Sequence, residues 1–214
     1  MNSLNPINLI TSLHSVNRSI KTAEKDEKDV RHVTLERSFS VPVEELWDAV
    51  TNPERLSRYF GYVNGELKEN GRFQVKDNAE GTITECVRPQ FFAATWEFAG
   101  GLSWIEVQVA SVSTAETLLK LTHICPVDEH WMNYGPGAGG VGWDLVLLGL
   151  EAHLLDKNFN LTDGEALLTT KEGMNFIIGS SEDWGKAAIA AGENPKQAKA
   201  AAKRTTAFYT GTAE

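Results

Sequence analysis

The sequence predicts one α+β domain, in which a curved antiparallel sheet grips a long helix at residues 143–157 and leaves an apolar cavity between them. Three observations favour this fold. Short alternating segments over 63–124 are separated by tight turns and carry no helical pattern, which is typical of an antiparallel meander. A strand and two short helices precede the meander, and a helix that is apolar almost all the way round follows it.

Composition fits a globular chain and argues against two classes of partner. The 214 residues are 42% hydrophobic and 23% charged, which are ordinary globular values. The net charge of −9 argues against a general attraction to nucleic acid or anionic lipid, because such binding needs a basic face. We find no run of about 18 apolar residues and expect no membrane insertion. Residues 1–20 lack the continuous apolar core of a secretory signal.

The first 30 residues are expected to form a flexible leader. They end in a charged run over 21–29 that has no apolar periodicity. Order is expected to begin at His32, because residues 32–40 alternate with a period of two that is broken only by Arg37. This pattern predicts a strand.

Two short helices are predicted after this strand. Pro42 stands where the first helix begins, and two glutamates follow it in the first turn, where acidic side chains favour the helix dipole. Asn52 and Pro53 begin the second helix, which is predicted over 53–59 and which Gly61 ends.

The meander is predicted to contain six antiparallel strands, each next to the strand that follows it in the sequence. Their spacing of about ten residues leaves no room for helices between them. The predicted strands are 63–67, 72–76, 81–87, 91–98, 102–111 and 117–124. Alternation places three sets of side chains on one side of their strands: Phe92, Ala94, Trp96 and Phe98; Ile105, Val107 and Val109; and Leu119, Leu121 and His123.

The long helix is predicted over 141–158 and is too apolar to have water on one side. Its few polar residues include Asp144 and Glu151, seven residues apart on one face. A surface helix would show a wider polar face, so we expect the sheet to cover one side and the rest of the chain the other. The predicted organisation is a leader over 1–30, a domain over 31–158 and a helical C-terminal extension over 159–214, packed on the domain.

A glycine-rich segment over 135–140 formally matches the GxGxxG pattern of dinucleotide-binding proteins. The pattern has the wrong context, because the preceding strand ends some distance earlier and the predicted sheet is antiparallel. We interpret the segment as a flexible loop at the entrance of the long helix, with glycines that could act as a hinge over a cavity mouth.

The histidines and cysteines do not predict a metal site. None of the five histidines has the spacing of a zinc ligand set. Cys86 and Cys125 have no CxxC partner and lie in apolar strand-like segments, which favours buried structural thiols in a reducing, cytoplasmic setting.

Two polar residues are ambiguous. His123 falls on the apolar side of its strand and is interpreted as a hydrogen-bonded core histidine, with ligand contact or acid/base work as the alternative. Glu85 alternates with apolar neighbours and either points inward or is turned outward by a bulge. A buried carboxylate is costly without a partner, and His123, Arg37 or Tyr59 could supply one.

The order of elements resembles the helix-grip fold of the SRPBCC superfamily, which includes START, birch-pollen-allergen and polyketide-cyclase proteins. Within it, the chain is most similar to the group named for the activator of heat-shock-protein-ninety ATPase homologue, over roughly residues 31–158. The segments that carry the resemblance are VTLERSFSVPVEELWDAVTNPERLSRYFG (33–61), ELKENGRFQV (66–75), GTITECVRP (81–89), FAATWEF (92–98), LLKLTHI (118–124) and GWDLVLLGLEAHL (142–154).

The resemblance implies a cavity between the concave sheet face and the long helix, and it carries over no catalytic motif. We expect non-catalytic binding of a small apolar or amphipathic ligand, without cofactor or metal, by a monomer or homodimer. One alternative is a module that regulates the chaperone's ATPase. Another is a cyclase- or hydrolase-type enzyme that uses polar cavity residues, with Glu85, His123 and Tyr59 as the first candidates. The candidate cavity residues are Tyr59, Phe60, Phe73, Glu85, Trp96, Phe98, Val107, Leu121, His123, Trp143 and Leu147.

Overall fold

The computed structural model describes residues 7–212 and contains one curved sheet with helices on its concave side. All strand pairs are antiparallel, in the order β1-β2-β8-β7-β6-β5-β4-β3. The strands are β1 Asn17–Lys25, β2 Lys28–Phe39, β3 Val63–Gly65, β4 Arg72–Val75, β5 Glu80–Val87, β6 Phe91–Phe98, β7 Gly101–Ser113 and β8 Glu116–Pro126. The helices are α1 Leu9–His14, α2 Val43–Thr51, α3 Pro53–Tyr59, α4 Glu129–Tyr134, α5 Gly137–Leu155, α6 Leu161–Leu168, α7 Lys171–Ala190 and α8 Pro195–Thr210.

The predicted α+β helix-grip fold is confirmed, and so is the six-strand meander, which corresponds to β3–β8. The two helices α2 and α3 lie between the first strand of the predicted domain and the meander, as expected. Asn52 caps α3 by accepting a hydrogen bond from the backbone N–H of Glu54 at 3.0 Å.

The prediction of a flexible leader is wrong for residues 7–30, and its first six residues lie outside the described part of the chain. Strand β1 pairs with β2 along its whole length, from Asn17 opposite Glu36 to Lys25 opposite Lys28. The charged run that suggested disorder is largely the turn of this hairpin and its flanking residues, since Asp26 and Glu27 adopt the positive φ angles of a tight turn. Helix α1 packs on the domain through buried leucines.

The long helix begins and ends earlier than predicted. Three of the glycines expected to form a loop, Gly137, Gly139 and Gly140, instead lie in the first turn of α5, which starts at Gly137 and ends at Leu155. Gly135 ends α4. Glycine at 140 is needed because a Cβ there would overlap the Trp184 indole of α7. In this fold, the glycine-rich segment that matches GxGxxG allows α5 and α7 to pack closely.

Helix α5 is the centre of the molecule. By length and composition it could cross a membrane, yet in this fold Val141 and Leu150 are 0% and 1% exposed, in contact with the rest of the core. The sheet lies on one side of it and α7 on the other, with Trp184 fully buried between the two helices. Helix α8 in turn packs on α7 through small residues, with the Ala202 methyl close to Gly185.

A buried ion pair ties the N-terminal hairpin and α7 to α5. Arg18 on β1 donates two hydrogen bonds to Asp144, from Nε to Oδ2 at 3.0 Å and from Nη2 to Oδ1 at 2.9 Å. Ser180 and Trp184 on α7 donate to the same carboxylate at 2.6 and 2.9 Å. Burial raises the pKa of Asp144, and these partners oppose that shift by favouring the ionised form. The second acidic residue predicted on this face, Glu151, pairs with Arg37 of β2 at 2.6 Å.

Candidate ligand cavity

A cavity of about 650 Å³ lies between the sheet and the first half of α5. Its walls come from the end of β6, the start of β7 and the end of β8, and from α4, α5 and the end of α8. It opens to solvent on one side, where Phe98, Leu102 and Phe208 are 55%, 46% and 63% exposed. These three apolar side chains belong to three separate elements and form the rim of the opening.

The inner wall is an aromatic cluster. The rings of Phe60 and Trp143 stack with centroids 6.2 Å apart, and Trp96 lies 5.4 Å from Trp143 and 6.4 Å from Phe60. The ring centroid of Phe73 lies 6.2 Å from that of Trp96. Aromatic side chains in such offset and tilted arrangements form a rigid apolar surface, against which a flat ligand can stack.

His123 is held at the cavity wall by a chain of three hydrogen bonds. The Trp143 indole N–H donates to His123 Nδ1 at 3.1 Å, so the ring proton of the neutral imidazole is on Nε2. His123 Nε2 donates to Ser103 Oγ at 2.8 Å, and Ser103 Oγ itself donates to the backbone carbonyl of Trp96 at 3.1 Å. Burial lowers the pKa of His123 to about 4, so the imidazole is neutral at pH 7. The preferred interpretation, a hydrogen-bonded histidine, describes this arrangement better than a free acid or base.

The cavity wall contains further polar residues, among them Cys125, Asp128, His130 and Tyr209. Burial raises the pKa of Cys125 to about 12, with a further contribution from Asp128, so the thiol is protonated and a poor nucleophile. Tyr209 donates to the carbonyl of Ala138 at 2.7 Å. Among residues 7–212, no group of three or more His, Cys, Asp or Glu side chains lies close enough to hold a metal ion.

Five of the eleven predicted cavity residues line this space: Phe60, Trp96, Phe98, His123 and Trp143. Four others are packed into the core. Val107 and Leu121 of the sheet and Leu147 of α5 are all buried in one hydrophobic core cluster. The prediction that these three residues and Phe73 line the cavity is wrong, because all four are packed in the core and none is in the cavity wall.

The remaining two candidates lie away from the cavity. Glu85 is exposed because a bulge between Ile83 and Glu85 shifts the register of β5 against β6, which was the alternative outcome considered for it. Tyr59 is buried under α5, where its hydroxyl donates to the carbonyl of Ala49 at 3.0 Å and its ring stacks on His153. Glu85, His123 and Tyr59 are therefore not brought together as an acid/base set.

Sequence reasoning missed the contribution of α4 and α8. Trp131 and Tyr134 of α4, and Thr205, Phe208 and Tyr209 of α8, complete the cavity wall. The aromatic residues before the glycine-rich segment and the Phe-Tyr pair near the C-terminus were visible in the sequence. Nothing local indicates that helices 71 residues apart meet, as in the hydrogen bond from Thr205 Oγ1 to the carbonyl of Tyr134.

Solved structures of similar fold come from several bacteria. The crystal structure of CalU16 from Micromonospora echinospora is 25% identical, with a TM-score of 0.67 over 81% of this chain and 98% of that one. Its solution structure is 24% identical, with a TM-score of 0.70 over 82% and 96% of the two chains. A conserved protein of unknown function from Enterococcus faecalis is 16% identical and has a TM-score of 0.60, with 87% of this chain and 96% of that chain covered.

The family comparison is more specific than the structural one. No curated protein matches the chain in sequence. Residues 40–154, more than half of the chain, match the model of the family described as Activator of Hsp90 ATPase homolog 1-like protein. This segment runs from just before α2 to the last turn of α5 and thus contains the meander and the gripped helix. The chain therefore belongs to the Activator of Hsp90 ATPase homolog 1-like family, with the helix-grip fold of the SRPBCC superfamily.

Proposed function

We propose that this protein binds a small apolar or amphipathic ligand, without catalysis, in the cavity between the sheet and α5. The observation that carries the proposal is the cavity of about 650 Å³, whose lining includes eight Phe, Trp and Tyr side chains. This volume falls within the range of roughly 300–1,000 Å³ that is typical of ligand pockets, which are mostly apolar with a few placed polar groups.

Two features of the polar groups favour binding over catalysis. Both ring nitrogens of His123 are engaged by Trp143 and Ser103, and a general base needs a nitrogen that can reach a substrate proton. Within the described residues 7–212, Cys125 supplies the only thiol in the wall, and burial raises its pKa so that it is protonated at pH 7. The pocket therefore offers shape and aromatic surface rather than an activated group.

Ligand binding can be measured by thermal stabilisation with a panel of lipids, sterols and polycyclic aromatic compounds. A ligand present at 100 times its Kd stabilises the folded state by about 2.7 kcal/mol, which corresponds to a rise in Tm of roughly 5–10 °C for a chain of this size. Quenching of tryptophan fluorescence gives a second readout, because Trp96 and Trp143 line the cavity.

A matched pair of variants assigns the binding to this cavity. Val146→Phe adds volume inside the cavity, whereas Val112→Phe adds the same volume at an exposed position outside it. We expect the first variant to weaken ligand binding at least tenfold and the second to bind as the wild type does. If no compound class stabilises the wild-type protein, or if both variants bind equally well, the proposal fails.

A second candidate function is regulation of a chaperone ATPase, and it is favoured by the family whose model matches residues 40–154. The test is the ATPase rate of an Hsp90-type chaperone at increasing concentrations of this protein. A saturable change in rate, together with a complex detected by sedimentation, would support this role. The absence of both at high concentration would remove it and leave the ligand-binding proposal untouched.

A further inference from the structure

The tryptophans of this protein differ in what their indole N–H groups meet. A buried indole N–H usually finds an acceptor, because leaving it unpaired costs free energy. Trp143 donates to His123 and Trp184 donates to Asp144, at 3.1 and 2.9 Å. These two indoles are satisfied within the protein.

Trp96 and Trp131 are more than nine-tenths buried, at 9% and 7% exposure, and both line the cavity. Within residues 7–212, neither indole nitrogen donates to a protein acceptor. Neither is among the fully enclosed unpaired atoms, which in the described residues are Arg37 Nε, Trp47 Nε1 and His153 Nδ1. Each indole nitrogen therefore keeps some accessible surface, and both side chains line the cavity.

The rest of the cavity indicates which acceptor these donors fit. Among residues 7–212, no Lys or Arg side chain lines it, and Asp128 supplies the one carboxylate in its wall. An anionic ligand would lose its hydration without meeting a Lys or Arg side chain and would approach a like charge. A neutral oxygen, such as a ketone or ether, accepts a hydrogen bond without that cost.

Building on the proposed ligand-binding function, we propose that the Trp96 and Trp131 indole N–H groups are hydrogen-bond donors to the ligand, and that the cavity selects neutral aromatic molecules with carbonyl or ether oxygens. The aromatic cluster of Phe60, Trp96 and Trp143 holds the flat rings by stacking. The two donors distinguish an oxygenated ring system from a hydrocarbon of the same shape.

Three tricyclic probes of matched shape test the proposal by equilibrium dialysis: 9-fluorenone, fluorene and 9-fluorenone-2-carboxylate. A neutral hydrogen bond contributes about 0.5–1.5 kcal/mol net, so we expect fluorenone to bind roughly 2- to 13-fold more tightly than fluorene. The carboxylate is expected to bind more weakly than the neutral ketone. Equal affinity for fluorenone and fluorene overturns the proposal while leaving ligand binding established.

Conservative variants assign the preference to the two donors. Trp96→Phe and Trp131→Phe keep an aromatic ring and remove the N–H, so the fluorenone-to-fluorene ratio should fall toward one in at least one of them. Trp104→Phe is the control, because Trp104 neither lines the cavity nor belongs to the inward-facing set of its strand. Measuring two probes on the same variant cancels a general loss of stability.

The outcomes separate the two proposals. An unchanged ratio in both variants overturns the assignment of the donors. Binding of lipids or sterols without any tricyclic probe overturns the aromatic ligand class and retains the cavity as a binding site. Failure of every compound class to bind defeats the proposed function itself.

Discussion

At the level of single residues, Asp144 joins three parts of the chain that are far apart in sequence. It accepts hydrogen bonds from Arg18 on β1 and from Ser180 and Trp184 on α7, while its own backbone lies in α5. Its side chain and that of Arg18 are 0% and 5% exposed. Removal of one charge from such a pair leaves the other buried and unpaired, which is the costly outcome for an interior ion pair.

We therefore expect Asp144→Asn to lower the free energy of unfolding by about 3–5 kcal/mol, the cost typical of breaking a buried ion pair. Urea unfolding followed by circular dichroism measures the change. Lys120→Ala, which breaks the partly exposed pair with Glu36, is the control and should change stability by less than about 1 kcal/mol. Equal effects of the two substitutions would contradict the role given to Asp144.

His123 makes the stability of the protein depend on pH. Its folded pKa of about 4 lies below the ordinary value of 6.5, so the unfolded chain binds the proton more readily. The free energy of unfolding is therefore unaffected by His123 above pH 6.5 and decreases as the pH falls from 6.5 toward 4. The full effect is roughly 3 kcal/mol, of which about 2 kcal/mol is lost by pH 5.

His123→Gln should reduce the decline in unfolding free energy between pH 7 and pH 5 by about 2 kcal/mol. Burial also lowers the pKa of His32 and His153, but both residues remain in the variant, so the difference isolates His123. Denaturant titrations at four or five pH values provide the comparison. Parallel curves for the two proteins would show that His123 does not titrate as described.

At the level of elements, the first turn of α5 depends on small residues where other helices press against it. A Cβ at position 140 would overlap the Trp184 indole, and one at position 139 would lie 3.2 Å from His123 Nδ1. Gly137 and Gly142 similarly allow Thr205 and Tyr209 of α8 to lie close to α5. At these four positions glycine lowers the helix propensity of α5 but allows α7, α8 and His123 to approach its backbone closely. Gly139, Gly140 and Gly142 also line the cavity.

Gly140→Ala should cost about 1–3 kcal/mol, because the added methyl group overpacks the contact with Trp184. The double variant with Trp184→Phe tests this cause, since phenylalanine lacks the indole nitrogen and fused-ring carbons nearest to the new methyl. We expect the double variant to lose less stability than the sum of the two single changes, in a urea-unfolding cycle. Strict additivity would show that position 140 and Trp184 do not compete for space.

At the level of the whole molecule, the elements that local patterns specify were predicted and those that distant contacts specify were not. Alternation and tight turns identify β3–β8 because both signals lie within about ten residues. Strand β1 carries a charged inward residue, Arg18, whose partner is 126 residues away, so its pattern resembles that of a polar leader. The sequence alone does not show that β1 belongs to the domain, because its local pattern does not indicate that Arg18 pairs with Asp144.

The cavity was predicted in part for the same reason. Alternation correctly assigned Trp96, His123, Val107 and Leu121 to the inner face of the sheet, but it does not show where along a strand the core ends and the cavity begins. That boundary depends on how α5 lies across the sheet. The part of the cavity wall that α4 and α8 supply depends on contacts between these two helices, and no periodic pattern in the sequence indicates such contacts.

The N-terminal hairpin gives the last prediction, because it tests whether the folded domain begins before residue 31. Deletion of residues 1–26 removes β1 and Arg18, exposes the edge of β2 and leaves Asp144 buried without its cation. We expect a larger loss of stability than in Arg18→Ala, since the deletion also removes the buried apolar contacts of Leu9 and Leu13. A typical domain has about 5–15 kcal/mol to lose, so the truncated chain should unfold at far lower urea and expose apolar surface to a hydrophobic dye. If the truncated protein instead unfolds at the same urea concentration as the full chain, the hairpin is dispensable and the domain begins where the sequence pattern first suggested.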